Sequence, residues 1–267
     1  MIRDITLGQY YPADSILHKL DPRVKLVGTV GFLVALFLIN NWVGYVVATV
    51  YLVSIIKISK VPFKFMVKGL KAIFIILLVT LMFNLFLTPG DVVLVRIWKL
   101  TITDKGLRTA IFMAIRLVYL ILGSSVMTLT TTANDLTDGL ESLLGPLKKI
   151  HVPVHEVAMM MSIALRFIPI LLEETDKIMR AQLARGADFE HGNLIHRAKA
   201  LVPILVPLFI SAFRRANDLA MAMEARCYRG GEGRTKMKPL VYSKNDYGAY
   251  GVFVVFLACI IVVGVVL

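Results

Sequence analysis

Two triplets in this sequence have residue types suited to a specific polar contact: Ala184-Arg185-Gly186 and Ala225-Arg226-Cys227. In each, an arginine follows a small residue. A small neighbour lets a partner surface come close, and the guanidinium then offers a planar fork that fits a carboxylate. Either arginine alone would read as a helix-end cation meeting the negative end of the helix dipole. The pattern recurs at the tips of two long segments, and that recurrence points to docking. Other candidates for chemistry fail. Residues 230–235, Gly-Gly-Glu-Gly-Arg-Thr, lack the lysine and the spacing of a phosphate-binding loop. The chain is therefore not expected to bind or hydrolyse ATP, and no catalytic residue is assigned. His151 and His155 are separated by Pro153, Glu156 follows, and position 159 is Met159, so no His-Glu-x-x-His forms. His191 and His196 are no better spaced. No metal site is expected, because such sites need several converging ligands.

The segments that would position the arginines run over residues 153–185 and 193–226. Each begins apolar and ends polar. A straight helix of either length would reach about 50 Å. Pro169, Pro203 and Pro207 argue for bends. Gly186 is the expected stop of the first helix and Gly230-Gly231 that of the second. Met159-Met160-Met161, with Met179, Met221 and Met223, reads either as core filling or as a surface that fits several partners.

Composition places these arms on a membrane protein. The 267 residues are 57% hydrophobic and the mean hydropathy is +0.74, too apolar for an ordinary soluble domain. The net charge of +12 is explained by basic residues held on the cytoplasmic side, so no nucleic-acid partner is expected. No cleavable leader is expected, since the first apolar run follows Arg3, Lys19 and Arg23. Apolar runs at about 24–39, 42–56, 72–87, 107–129 and 247–267 predict five spans. Lys57, Lys60, Lys64, Lys68 and Lys71 mark the 57–71 loop as cytoplasmic. The N-terminus is then inside and the C-terminus outside. The expected organisation is residues 1–132 as tail and spans one to four, 133–246 as a cytoplasmic domain with two long arms, and 247–267 as span five. The fold class is all-α integral membrane protein. Apolar stretches at 157–172 and 200–213 are short for the bilayer, and they read as helices at the inner membrane surface or under partners. Arg116 falls inside the fourth span and reads as an arginine that fixes helix packing. Asn84 in the third reads as an interhelical hydrogen-bonding group.

Taken in order, several motifs carry a family resemblance. They are Leu20-Asp21-Pro22-Arg23-Val24-Lys25-Leu26, Leu129-Thr130-Thr131-Thr132, Leu143-Leu144-Gly145-Pro146-Leu147-Lys148, Ala164-Leu165-Arg166-Phe167-Ile168-Pro169, residues 181–188 around Arg185, and residues 222–230 around Arg226. The chain resembles the EcfT family, the transmembrane coupling subunits of energy-coupling factor (ECF) transporters in the ABC superfamily. The resemblance implies that the two arginine triplets dock two cytoplasmic ATPase subunits, which hold the ATP and Mg; this chain itself binds no cofactor. It also implies that the arms carry an interchangeable membrane substrate-binding subunit, the S component. Met159, Met160, Pro203, Leu205, Pro207 and Leu208 are the residues expected to face it. Membrane lipid is the remaining partner. The family usually has glycine where this chain has Cys227.

The implied function is a non-catalytic coupler for vitamin or metal-ion uptake. The resemblance is nearest to the shared subunit that serves several vitamin-specific S components. A dedicated cobalt or nickel module is the alternative. A self-sufficient secondary transporter is the rival from another class, but only Arg116 and Asn84 could furnish its site. No constellation suggests a membrane enzyme.

Overall fold

In a computed structural model, residues 10–88, 93–97, 100–187, 194–231 and 237–266 are described. The protein is an all-α membrane protein with one small hairpin. The order is α1 (Ile16–Lys19), α2 (Pro22–Leu38), α3 (Trp42–Ser59), α4 (Phe63–Leu87), β1 (Val93–Ile97), β2 (Leu100–Thr103), α5 (Asp104–Thr130), α6 (Ala133–Leu144), α7 (Val154–Ala184), α8 (Leu194–Ala225) and α9 (Lys244–Val266). The antiparallel β1–β2 hairpin fills the link between α4 and α5.

The chain divides into two compact units. The first described here comprises Gly8–Leu140 and Pro239–Leu267. Its core is the α2–α3–α5–α9 bundle, where Phe32, Leu36, Tyr45, Leu52, Phe112, Val126, Phe253 and Phe256 are buried. Small residues let these helices approach. A Cβ on Gly123 would stand 2.7 Å from the Phe32 ring, and one on Gly31 would collide with Phe253.

The second unit is Glu141–Lys238 and holds the arms α7 and α8. Pro169 lies inside α7, and Pro203 and Pro207 lie inside α8; each helix continues through its prolines.

Five helices among the described residues are long and apolar enough to cross a membrane: Trp42–Ser59, Asp104–Thr130, Val154–Ala184, Lys199–Ala225 and Lys244–Gly264. A sixth is α4 if its two segments count as one span. The number matches the sequence expectation, but its members differ. The arms pass on length and apolarity, whereas α2 has only 17 residues, about 26 Å of helix.

Candidate functional site

The two arginine triplets adopt the same backbone. At the end of α7, the Ala187 N–H donates to the Gln182 carbonyl and the Gly186 N–H to the Leu183 carbonyl, both at 3.0 Å. Gly186 has φ +84°. At the end of α8, the Tyr228 N–H donates to the Met223 carbonyl at 3.0 Å and the Cys227 N–H to the Glu224 carbonyl at 2.8 Å. Cys227 has φ +56°. Both are Schellman caps, in which a left-handed residue turns the chain so that two late N–H groups satisfy the last helical carbonyls. Cys227, rather than the Gly230-Gly231 pair, ends the second helix.

Arg185 and Arg226 hold the same position, the last before the left-handed residue. Both are exposed, and neither guanidinium bonds to a described residue. Ala184, Gly186, Ala225 and Cys227 are exposed around them. A solvated arginine with small neighbours is free to meet an acidic group on another surface.

The arms run antiparallel. Glu174 on α7 pairs with Arg215 on α8 at 3.1 Å. Gln182, further along α7, donates to the carbonyl of Pro203, earlier on α8, at 3.2 Å. Beyond the second tip, Gly231 returns against the ring of His155 in the first turn of α7. The tips therefore point to opposite ends of the hairpin. Arg185 lies 11 residues past Glu174, and Arg226 lies 11 residues past Arg215. At 1.5 Å per residue the tips are about 33 Å apart along the hairpin.

Each arm also carries an uncovered apolar stripe. On α8 it is Leu201, Val202, Leu205, Val206, Phe209, Ile210 and Phe213, each 47–67% exposed. Their i, i+1, i+4, i+5 spacing is one helix face. On α7, Val157, Met160, Met161 and Ile168 form the counterpart. Of the residues expected to face a membrane partner, Met160 and Leu205 lie on these stripes and Pro203 is exposed beside one. Met159, Pro207 and Leu208 are half-buried at the edge. Phe209 and Phe213 lie on the same stripe and were not among the residues expected there, although the spacing was readable in the sequence.

The first unit contains a polar clasp that sequence reading did not foresee. Asp21 caps α2 by accepting from the Arg23 N–H at 2.9 Å, and the Arg23 guanidinium returns to its carboxylate at 2.7 and 3.0 Å. Arg23 also donates to the Leu240 carbonyl at 3.2 Å and covers the Tyr242 ring. Asp246, 1% exposed, accepts from the Asp21 N–H at 2.8 Å and from the Ser243 N–H and hydroxyl. Lys25 donates to the carbonyls of Thr130 and His18 at 2.9 and 3.2 Å. The clasp thus ties the starts of α2 and α9 to the end of α5. Burial pushes the Asp21 carboxyl up, but the hydrogen bonds and charge of Arg23, with the charge of Lys25, outweigh it and hold the group below the ordinary carboxylate range. The Ser243-to-Asp246 spacing is a capping-box pattern, and it was the available signal.

The remaining candidates are structural. Arg116 donates to the carbonyl of Ile39 at 2.9 Å, just past the end of α2. That is the helix-packing role expected of it. Asn84 bonds the Thr80 carbonyl of its own helix at 2.8 Å, not a neighbouring helix. His155 pairs with Glu141 at 2.9 Å, while His151 is an exposed left-handed cap residue. Among the described residues no group of three or more His, Cys, Asp or Glu is placed to hold a metal. His191 and residues 232–235 of the glycine-rich segment lie outside the described residues.

Comparison with known proteins gives the family. The family model described as CbiQ, cobalt transport protein, matches residues 13–237. Three relatives carry the name energy-coupling factor transporter transmembrane protein EcfT. The one from Clostridium kluyveri is 59% identical over 92% of each chain. That from Ruminiclostridium cellulolyticum is 54% identical over 98% of this chain and 97% of its own. The Bacillus subtilis relative is 49% identical over 92% of this chain and 93% of its own. With paired helix tips, apolar arms and near full-length identity of this order, the chain belongs to the EcfT family of ECF transporter transmembrane proteins, the T components.

Proposed function

We propose that this chain is the non-catalytic coupler between two cytoplasmic ATPase subunits and a membrane S component, serving vitamin uptake. Arg185 and Arg226 each enter a groove on one ATPase subunit and meet a carboxylate there. ATP and Mg reside on those subunits. The apolar stripes of α7 and α8 carry the S component, with Met160 and Leu205 at the contact and Met159, Pro203, Pro207 and Leu208 around it. Residues 133–246 form the cytoplasmic coupling domain, the N-terminus is cytoplasmic and the C-terminus external. One observation carries the reading. Two identical caps at opposite ends of one hairpin each present an exposed arginine, a form suited to two similar partners.

The test is ATPase co-purification and vitamin uptake for Arg185→Ala, Arg226→Ala and the double variant. An arginine desolvated in a groove leaves an unpaired carboxylate on removal and costs about 2–5 kcal/mol. An exposed pair costs about 0–1 kcal/mol. Each single change should weaken association, the double should abolish coupling, and lysine should rescue poorly because it lacks the fork. A double variant that binds both ATPases and transports normally would return these arginines to helix-end duty. A second reading, a dedicated cobalt or nickel module, is favoured by the family description. Uptake of labelled metal rather than vitamin would select it.

A further inference from the structure

A cleft of about 440 Å³ opens in the first unit between α1, α2, α3, α5 and α9. Phe32, Tyr51, Tyr250 and Phe253 are the aromatic groups of its lining, and most of the rest is aliphatic. Lys25 and Lys244 are the charged groups of its lining, which includes no carboxylate. We propose that this cleft holds an acyl chain of an anionic phospholipid, with the phosphate at Lys25 and Lys244.

Four observations support that occupant. First, the length fits. Lys25 to Phe32 spans about 11 Å of α2, and Lys244 to Phe253 about 14 Å of α9, at 1.5 Å per residue. One leaflet's hydrocarbon is about 15 Å deep, half the bilayer core. Second, the two walls carry bare glycines. A Cβ on Gly28 or Gly248 would meet nothing within 4 Å. Unlike Gly31 and Gly123, these glycines serve no helix contact, and mid-helix glycine costs stability relative to alanine; what they provide is width. Third, the end of the cleft where α2 and α9 begin side by side is basic. Lys25 commits two of its three N–H groups to carbonyls, so one remains for a phosphate oxygen. Lys244 is exposed. Fourth, the nearby carboxylates are already engaged: Asp21 by Arg23, Asp246 by Ser243 and the Asp21 N–H, and Asp135 by Thr132.

Native mass spectrometry of the full chain, titrated separately with phosphatidylglycerol and phosphatidylcholine, tests this. Wild type should retain one phosphatidylglycerol and prefer it, with about fivefold gained per lysine near the phosphate. Lys244→Gln should lower that preference by about fivefold. Gly28→Leu and Gly248→Leu, on different helices, should each abolish retention of either lipid while leaving the elution profile unchanged. Gly264→Leu, equally open but outside the cleft, should bind as wild type. Equal retention of the two lipids, or undiminished retention by both glycine variants, would overturn the proposal. So would a lipid that binds the isolated chain but is absent from the complex with its partners, since the cleft would then belong to a partner helix.

Discussion

Cys227→Gly is the most informative single change at the arm tips. Cys227 occupies the left-handed region at φ +56°, where Gly186 stands at the matching position of the other arm. A side chain there costs about 1–2 kcal/mol from the approach of Cβ to the following carbonyl. Glycine removes that strain but adds about 0.5–1 kcal/mol of unfolded-chain freedom. The net gain is about 0.5–1 kcal/mol, localised at the cap. The assay is amide hydrogen exchange at Cys227 and Tyr228, whose N–H groups close the cap onto Glu224 and Met223. With tenfold per 1.4 kcal/mol, protection should rise about two- to fivefold. The mirror change, Gly186→Cys, should lower protection at residues 186 and 187 by a similar factor. Unchanged exchange in both variants would refute the strain argument. Protection that rises while ATPase binding falls would show that the thiol itself contacts the partner, and Cys227 would no longer be merely a backbone residue.

Asp246→Ala should remove the clasp. Three donors lose their acceptor, and the buried Asp21 N–H is left unpaired, so a loss of about 2–4 kcal/mol is expected; thermal unfolding of the purified chain reads it. Leu205→Asp should place a charge on the uncovered α8 stripe, impairing association with the membrane partner and uptake by severalfold while leaving membrane insertion intact. Unchanged transport with every S component would remove that face from the coupling role. Topology reporters fused after residues 69 and 193 should read cytoplasmic, and one after residue 267 external. An external signal at 193 would make the two arms into spans.

Much of the molecule was legible from sequence because apolar run length and charge are local properties. The arms were read as 153–185 and 193–226, and the helices are Val154–Ala184 and Leu194–Ala225. Asp21-Pro22-Arg23 was singled out as part of a motif, though not as a helix start; Asp21 caps α2. Three things were not legible. Pro169, Pro203 and Pro207 suggested bends, and propensity gave no sign that each arm would still run on as one continuous helix through them. Cys227 has no glycine's licence for positive φ, so the stop was sought at Gly230; the cap's hydrogen bonds hold the cysteine there instead. Asp246 was read as the last charge before an apolar run. Its partner Asp21 lies 225 residues earlier, a separation at which no sequence pattern announces contact.

The equal 11-residue spacings from the Glu174–Arg215 contact have a mechanical consequence. That contact sits midway between two tips facing opposite ways, like the pin of a pair of equal levers. Opposed pushes at Arg185 and Arg226 directed across the hairpin axis form a couple, whose net force is zero and whose torque is the push multiplied by about 33 Å of straight helix. Such a crosswise pair of pushes would turn the hairpin in place, whereas opposed pushes along its axis would mainly compress it. Anything resting on the apolar stripes would be tilted through the same angle.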